Sequence, residues 1–163
     1  MVAPRFETLR VGSAVVQGWD LDVRILQRVS GEGGTFHVLV QGALCEALRS
    51  FDDALAAAAR DVPGVAWRTD LAPRTGEIAC PTCGAPTTVT ERYPRRICEA
   101  CVHEAVDEEG HAVSFANVDM SGGFIARRSD GSPPARPHVC VVRGVVCHAD
   151  EARFGGIVIE PTQ

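Results

Sequence analysis

This chain contains no lysine: all 16 of its positively charged residues are arginine, set against 21 acidic ones for a net charge of −5. That absence excludes a Schiff-base lysine, the lysine of a phosphate-binding P-loop and a lysine general base. Neither half is basic. Residues 1–79 hold 8 Arg against 10 acids and residues 80–163 hold 8 against 11, so no cationic arm for nucleic acid stands out. Long apolar runs are missing too, none approaching the ~18 residues of a membrane helix. The N-terminal stretch "MVAPRFETLR" lacks the apolar centre of a secretory signal, and a cytoplasmic location is the expectation. No Gly-x-Ser-x-Gly elbow occurs, and "SGEGG" (30–34) is too short for a dinucleotide loop. His103-Glu104 opens like a zincin helix, but Asp107 stands where the second histidine is required. "CHADE" (147–151) and "CPTC" (80–83) hold parts of a zinc deaminase in the wrong order, with Asp150 at the place of the acid–base glutamate. No residue is assigned a catalytic role.

What is present is enough apolar sequence for a core, 45% of 163 residues, and two regions of different texture. Residues 1–75 read as a small α+β unit. "DLDVRILQRV" (20–29) places Leu21, Val23 and Ile25 on one face, and "TFHVLVQ" (35–41) alternates Phe36, Val38 and Val40, so the two predict a hairpin across the "SGEGG" turn cluster. Ser50 with Asp53 three residues later predicts a capped helix over "FDDALAAAAR", ended by Asp61, Pro63 and Gly64. "VAWRTDL" (65–71) adds a short strand, and Cys45 reads as a small core residue rather than a nucleophile. Residues 68–77 look like a connector. Residues 76–163 form the second domain, rich in strands: 111–118 with 122–128, then the two Val-rich runs of "HVCVVRGVVCHA" (138–149), then "FGGIVIEP" (154–161). The Gly-Gly pairs at 122–123 and 155–156 either pack on each other, the more ordinary expectation, or line a groove. The fold class is therefore α+β, a sheet-plus-helix unit followed by a strand-rich domain.

The second domain opens with "CPTCGAPTTVTERYPRRICEAC" (80–101), two Cys-x-x-Cys pairs. Seven cysteines without an export signal point to metal or catalysis rather than a disulfide framework. Each pair lets two thiolates of one tight turn converge, and two turns complete the tetrahedron that zinc prefers. Gly84 after the first pair can take the left-handed conformation that wraps a loop around an ion. The second pair is expected to open a helix, with Val102, Ala105 and Val106 on one face and Gly110 at its end, whose N-terminus would favour Cys98 and Cys101 as thiolates. A knuckle, an intervening hairpin and a second pair at a helix start resemble a treble-clef zinc finger over about residues 78–110. That resemblance implies one structural Zn2+ on Cys80, Cys83, Cys98 and Cys101, and no particular activity. Were the second pair to open a strand, the same ligands would make a zinc ribbon. Four thiolates leave no open position for zinc catalysis. Arg92, Tyr93, Arg95 and Arg96 between the pairs are candidates for offsetting the roughly −2 charge of such a site, or for touching a phosphate or an acidic partner.

A second candidate lies further on. If Arg143-Gly144 is a two-residue turn, Cys140 faces Cys147 across the ladder with His138 diagonal on the same face. The three are candidates for a second metal site or a redox pair, beside the plainer reading of reduced core cysteines. Three function classes then remain. The first is a non-catalytic structural-zinc protein serving as a protein-interaction module, an adaptor or an immunity- or antitoxin-like protein of the bacterial cytosol, with "DEEGH" (107–111) as a contact for a basic partner. A nucleic-acid-binding zinc finger is the alternative suggested by "RYPRR". An enzyme would have to draw on His111, Cys140, Cys147, His148 and Asp150.

Overall fold

The computed structural model describes residues 4–29, 34–45, 47–68, 70–88, 90–153 and 155–163. It falls into two compact units, Pro4–Ala72 and Pro73–Gln163. Among the described residues no helix is long and apolar enough to cross a membrane.

The first unit is a five-stranded antiparallel sheet with one helix. Its strands are β1 (Arg5–Val16), β2 (Trp19–Val29), β3 (Phe36–Val40), β4 (Ala43–Leu44) and β5 (Ala66–Trp67), in the order β4-β3-β2-β1-β5. The pairing of β2 with β3 sets Val23 opposite Val40 and Ile25 opposite Val38. The expected turn cluster between them lies, apart from Gly34, outside the described residues. The longest strand, β1, carries little strand-like alternation near its start. It is defined by its pairing with β2 through the Gln17-Gly18 turn, whose φ values of 52° and 84° are those of a type I′ hairpin. Helix α1 (Phe51–Asp61) begins as its sequence dictates, Ser50 Oγ accepting from the Asp53 N–H at 3.1 Å. Ala54, Ala57 and Ala58 occupy one helical face and pack on Ala14, Val23, Ile25 and Val38. Cys45 is exposed rather than in the core. The Gln41-Gly42 turn sets the phase of β4, so that Leu44 is half-buried while Ala43 and Cys45 point outward.

The second unit is built from small sheets. β6 (Glu77–Ala79) pairs with β7 (Pro86–Thr88), β8 (Val113–Ala116) with β9 (Ile125–Arg128), and β10 (Val139–Val142), β11 (Val145–Glu151) and β12 (Ile157–Pro161) form a three-stranded antiparallel sheet with β11 central. The Arg143-Gly144 turn is again of type I′, with φ values of 52° and 82°, and it sets Cys140 opposite Cys147. The helix expected from Cys98 to Gly110 is one turn long, α2 (Glu99–Val102). It stops because Val106 is taken into sheet pairing instead, exchanging hydrogen bonds with Val141 at 3.0 and 2.8 Å. The two Gly-Gly segments are joined by Asn117, its Nδ2 donating to Gly123 O and its Oδ1 accepting from Gly156 N.

Candidate metal centre

Backbone geometry brings the four cysteines of the paired motif together. The first pair sits in the β6–β7 hairpin. There the Cys80 N–H donates to Ala85 O at 2.7 Å and the Gly84 N–H to Cys80 O at 2.8 Å, and Gly84 has φ +76°. A residue with a Cβ would be strained at that angle. The second pair opens α2, where Cys98 is the N-cap and Cys101 lies one turn on. Sγ of Cys80 lies 3.9 Å from that of Cys101, and Sγ of Cys83 lies 3.5 Å from that of Cys98. All four sulfurs fall within 4.8 Å of one another. Sulfurs bound at about 2.3 Å to a tetrahedral zinc lie about 3.8 Å apart, whereas a disulfide needs about 2.05 Å. The cysteines are free, and their spacing is that of a metal cage.

Burial and hydrogen bonding point the same way. Cys80, Cys98 and Cys101 are buried and Cys83 is half-buried. Cys80 Sγ accepts from the Cys98 N–H at 3.2 Å and Cys83 Sγ from the Ala85 N–H at 3.4 Å, while the Thr82 hydroxyl lies 3.2 Å from Cys80 Sγ. Hydrogen bonding with Cys101 holds Cys80 well below the ordinary thiol range and lowers Cys83 as well. Cys101, facing Cys80, is pushed well above it. Cys98 is also raised, because Cys80 and Cys83 outweigh its hydrogen bond with Cys101. Four crowded thiols thus do not all ionise by themselves, and a cation at their centre is what would let them.

A buried ion pair lies in the electrostatic reach of the cage, at a place not marked in the sequence. A one-turn helix has little dipole to offer, so the two backbone N–H donors replace the expected helix terminus. Arg143, at the β10–β11 turn, clamps the buried Glu104 with Nε to Oε2 at 2.7 Å and Nη2 to Oε1 at 2.6 Å. Its guanidinium is held above its ordinary pKa first by Glu104 and then by the nearby sulfurs of Cys101 and Cys83. The need for this side chain explains an arginine at a left-handed position that disfavours it. Among the arginines between the pairs, Arg96 is spent on Glu99. Arg92 and Arg95 are exposed, the Arg95 N–H donates to Glu160 Oε1 at 2.9 Å, and Tyr93 OH accepts from the Arg153 N–H at 3.0 Å.

The other candidates are distributed differently from expectation. Cys140 and Cys147 face each other in the buried layer. Burial pushes their thiols up to about 12 and about 11, which is inert protonated sulfur. His138 does not join them. Its Nδ1 bonds to Ala149 O at 2.9 Å, and its ring stacks between Phe124 and His148 on the opposite, exposed side of the sheet. The enzyme candidates do not converge either: His148 and Asp150 share that exposed face, Cys147 points the other way, and His111 sits beside Asp107 and Glu109. The acidic stretch 107–111 is largely neutralised internally, with Asp107 and Glu109 paired to Arg128 and Glu108 to Arg136. Compared with known proteins, the chain matches no family model, no curated protein and no solved structure.

Proposed function

We propose that this chain is a non-catalytic, structural-zinc protein that acts as an interaction module for another protein, of the adaptor or immunity-protein kind, in a reducing compartment such as the bacterial cytosol. The observation that carries the reading is the closed sulfur cage. With a buried or half-buried thiolate at every corner, one Zn2+ there has no position left for substrate. The ion's work is then mechanical, tying the β6–β7 hairpin to α2, in the manner of a treble-clef finger whose helix is reduced to one turn. We also take the chain as two folding domains, 1–75 and 76–163, that meet in the 68–77 connector.

Function falls to the surface. The tip of the β1–β2 hairpin presents Trp19, 76% exposed, and Val15, 71% exposed, on opposite faces of the ribbon. An exposed tryptophan on a rigid hairpin is the kind of side chain that anchors protein interfaces. The test is affinity capture from the source lysate with zinc-loaded wild type and Trp19→Ala in parallel, with and without nuclease. A protein identified by mass spectrometry that resists nuclease and moderate salt, and is lost with Trp19→Ala, supports the reading. Retention that nuclease or salt abolishes would transfer it to nucleic-acid binding.

A further inference from the structure

We infer that His138, His148 and Asp150 form a second metal site, for an exchangeable divalent ion of the zinc–nickel–copper class. It shares no ligand with the sulfur cage and does not rest on the function proposed above.

The site follows from the ladder. His148 and Asp150 are two residues apart on the central strand β11 and share its solvent face. His148 is paired with Val139, and His138 lies in the turn just before β10, from where its ring stacks on that of His148. Nδ1 of His138 lies 2.9 Å from the Ala149 carbonyl. A carbonyl only accepts, so Nδ1 carries the proton and Nε2 keeps the lone pair. This outer hydrogen bond to a carbonyl is the usual means of orienting a metal-binding imidazole. The ring is further held by Phe124, stacked at 4.3 Å and 15°, with His148 nearly parallel on its other side at 5.6 Å and 16°.

The carboxylate is also positioned but not consumed. Asp150 Oδ1 accepts from the Glu151 N–H at 2.8 Å. Its Oδ2 stands 3.8 Å from His148 Nε2, beyond hydrogen-bond reach, and its Oδ1 stands 3.8 Å from the protonated His138 Nδ1, on the ring whose Nε2 keeps the lone pair. Three ligand groups therefore converge without satisfying one another, all within 4.8 Å. Ligands bound to one ion at about 2.0–2.1 Å lie about 3.3 Å apart in a tetrahedron. Side chains that are about half exposed can close that difference by small rotations. Two imidazoles and one carboxylate suit zinc, nickel or copper and not magnesium or calcium. The other His–carboxylate cluster, Asp107, Glu109 and His111, is already occupied by the Arg128 guanidinium at 2.6 and 2.9 Å, which an ion would have to displace. His148 and Asp150 also line a groove of about 490 Å³ together with Tyr93 and Arg95, leaving room for water or a small anion on the ion's open positions.

The experiment is a calorimetric titration with Zn2+ and Ni2+ of protein whose sulfur cage already holds zinc, with metal content measured before and after. One further equivalent is expected. His148→Ala and Asp150→Asn should each weaken it at least about ten-fold. His111→Ala should leave it unchanged. The substituted side chains, His111, His148 and Asp150, are all more than half exposed, so the variants keep the fold. Wild type that takes up no further equivalent, a His148→Ala variant that binds as tightly as wild type, or loss of the ion with His111→Ala would each overturn the assignment.

Discussion

Replacing Arg143 with methionine should destabilise the second unit by about 3 kcal/mol. The magnitude comes from its partner. Glu104 is 4% exposed and accepts two strong hydrogen bonds from this one guanidinium. Removing one member of a buried ion pair strands the other charge and costs roughly 3–5 kcal/mol. The lower end applies because the Arg143 side chain is 17% exposed, so water can approach Glu104 once the arginine is gone. Methionine is chosen because it keeps the stem and suffers the same strain at φ +52° as arginine does, leaving backbone energy out of the comparison. In urea, with a slope of about 1.5–2 kcal/mol/M for a unit of this size, the midpoint should fall by about 1.5–2 M at fixed free zinc. The double variant Glu104→Met/Arg143→Met removes both charges and should sit within about 1 kcal/mol of wild type. Zinc should also be lost sooner to a competing chelator in Arg143→Met, since the guanidinium lies in the field of the Cys101 and Cys83 sulfurs. The reasoning fails if Arg143→Met unfolds within about 0.5 kcal/mol of wild type, or if the double variant is no better than the single.

Two further outcomes follow from the cage and the core thiols. Cys98→Ser should abolish stoichiometric zinc and amide protection across residues 73–163, because a structural zinc site contributes on the order of 10 kcal/mol, as much as a small domain's whole stability. Both tryptophans, Trp19 and Trp67, lie in the first unit, so their emission should stay native if the domains fold independently; protection that survives the substitution would count against a structural ion. For Cys140 and Cys147, burial raises both thiols from 9.0, to about 12 and about 11. The native state then holds their protons longer than the unfolded chain does. Their contribution to stability is complete below about pH 9 and disappears as the pH rises through 11 to 12. Unfolding midpoints measured from pH 8 to 11 should decline more steeply in wild type than in Cys140→Ala/Cys147→Ala, and equal slopes would remove these thiols from the account.

Much of the local structure was legible in the residues themselves, and so were the four sulfurs. Ser50 with Asp53 marks the start of α1, and alternation marks β2, β3 and the strands after residue 110. These signals act over a few residues, so they survive without tertiary context. The Cys-x-x-Cys spacing and Gly84 are of the same kind, since a knuckle is closed by its own backbone hydrogen bonds. β1 was harder to read, because its partner and the Gln17-Gly18 turn define it more than its own pattern does.

By itself, then, the sequence determined the local turns, the helix cap and the two sulfur pairs, because each is decided by contacts a few residues apart. Only the tertiary structure decided the rest. It ended α2 after one turn, since Val106 gains a strand partner 35 residues away. It paired Arg143 with the buried Glu104, 39 residues away. It also turned His138 away from the buried cysteines toward His148 and Asp150. Those outcomes depend on which distant backbone groups win each other as hydrogen-bond partners, and spacing along the chain carries no record of that contest.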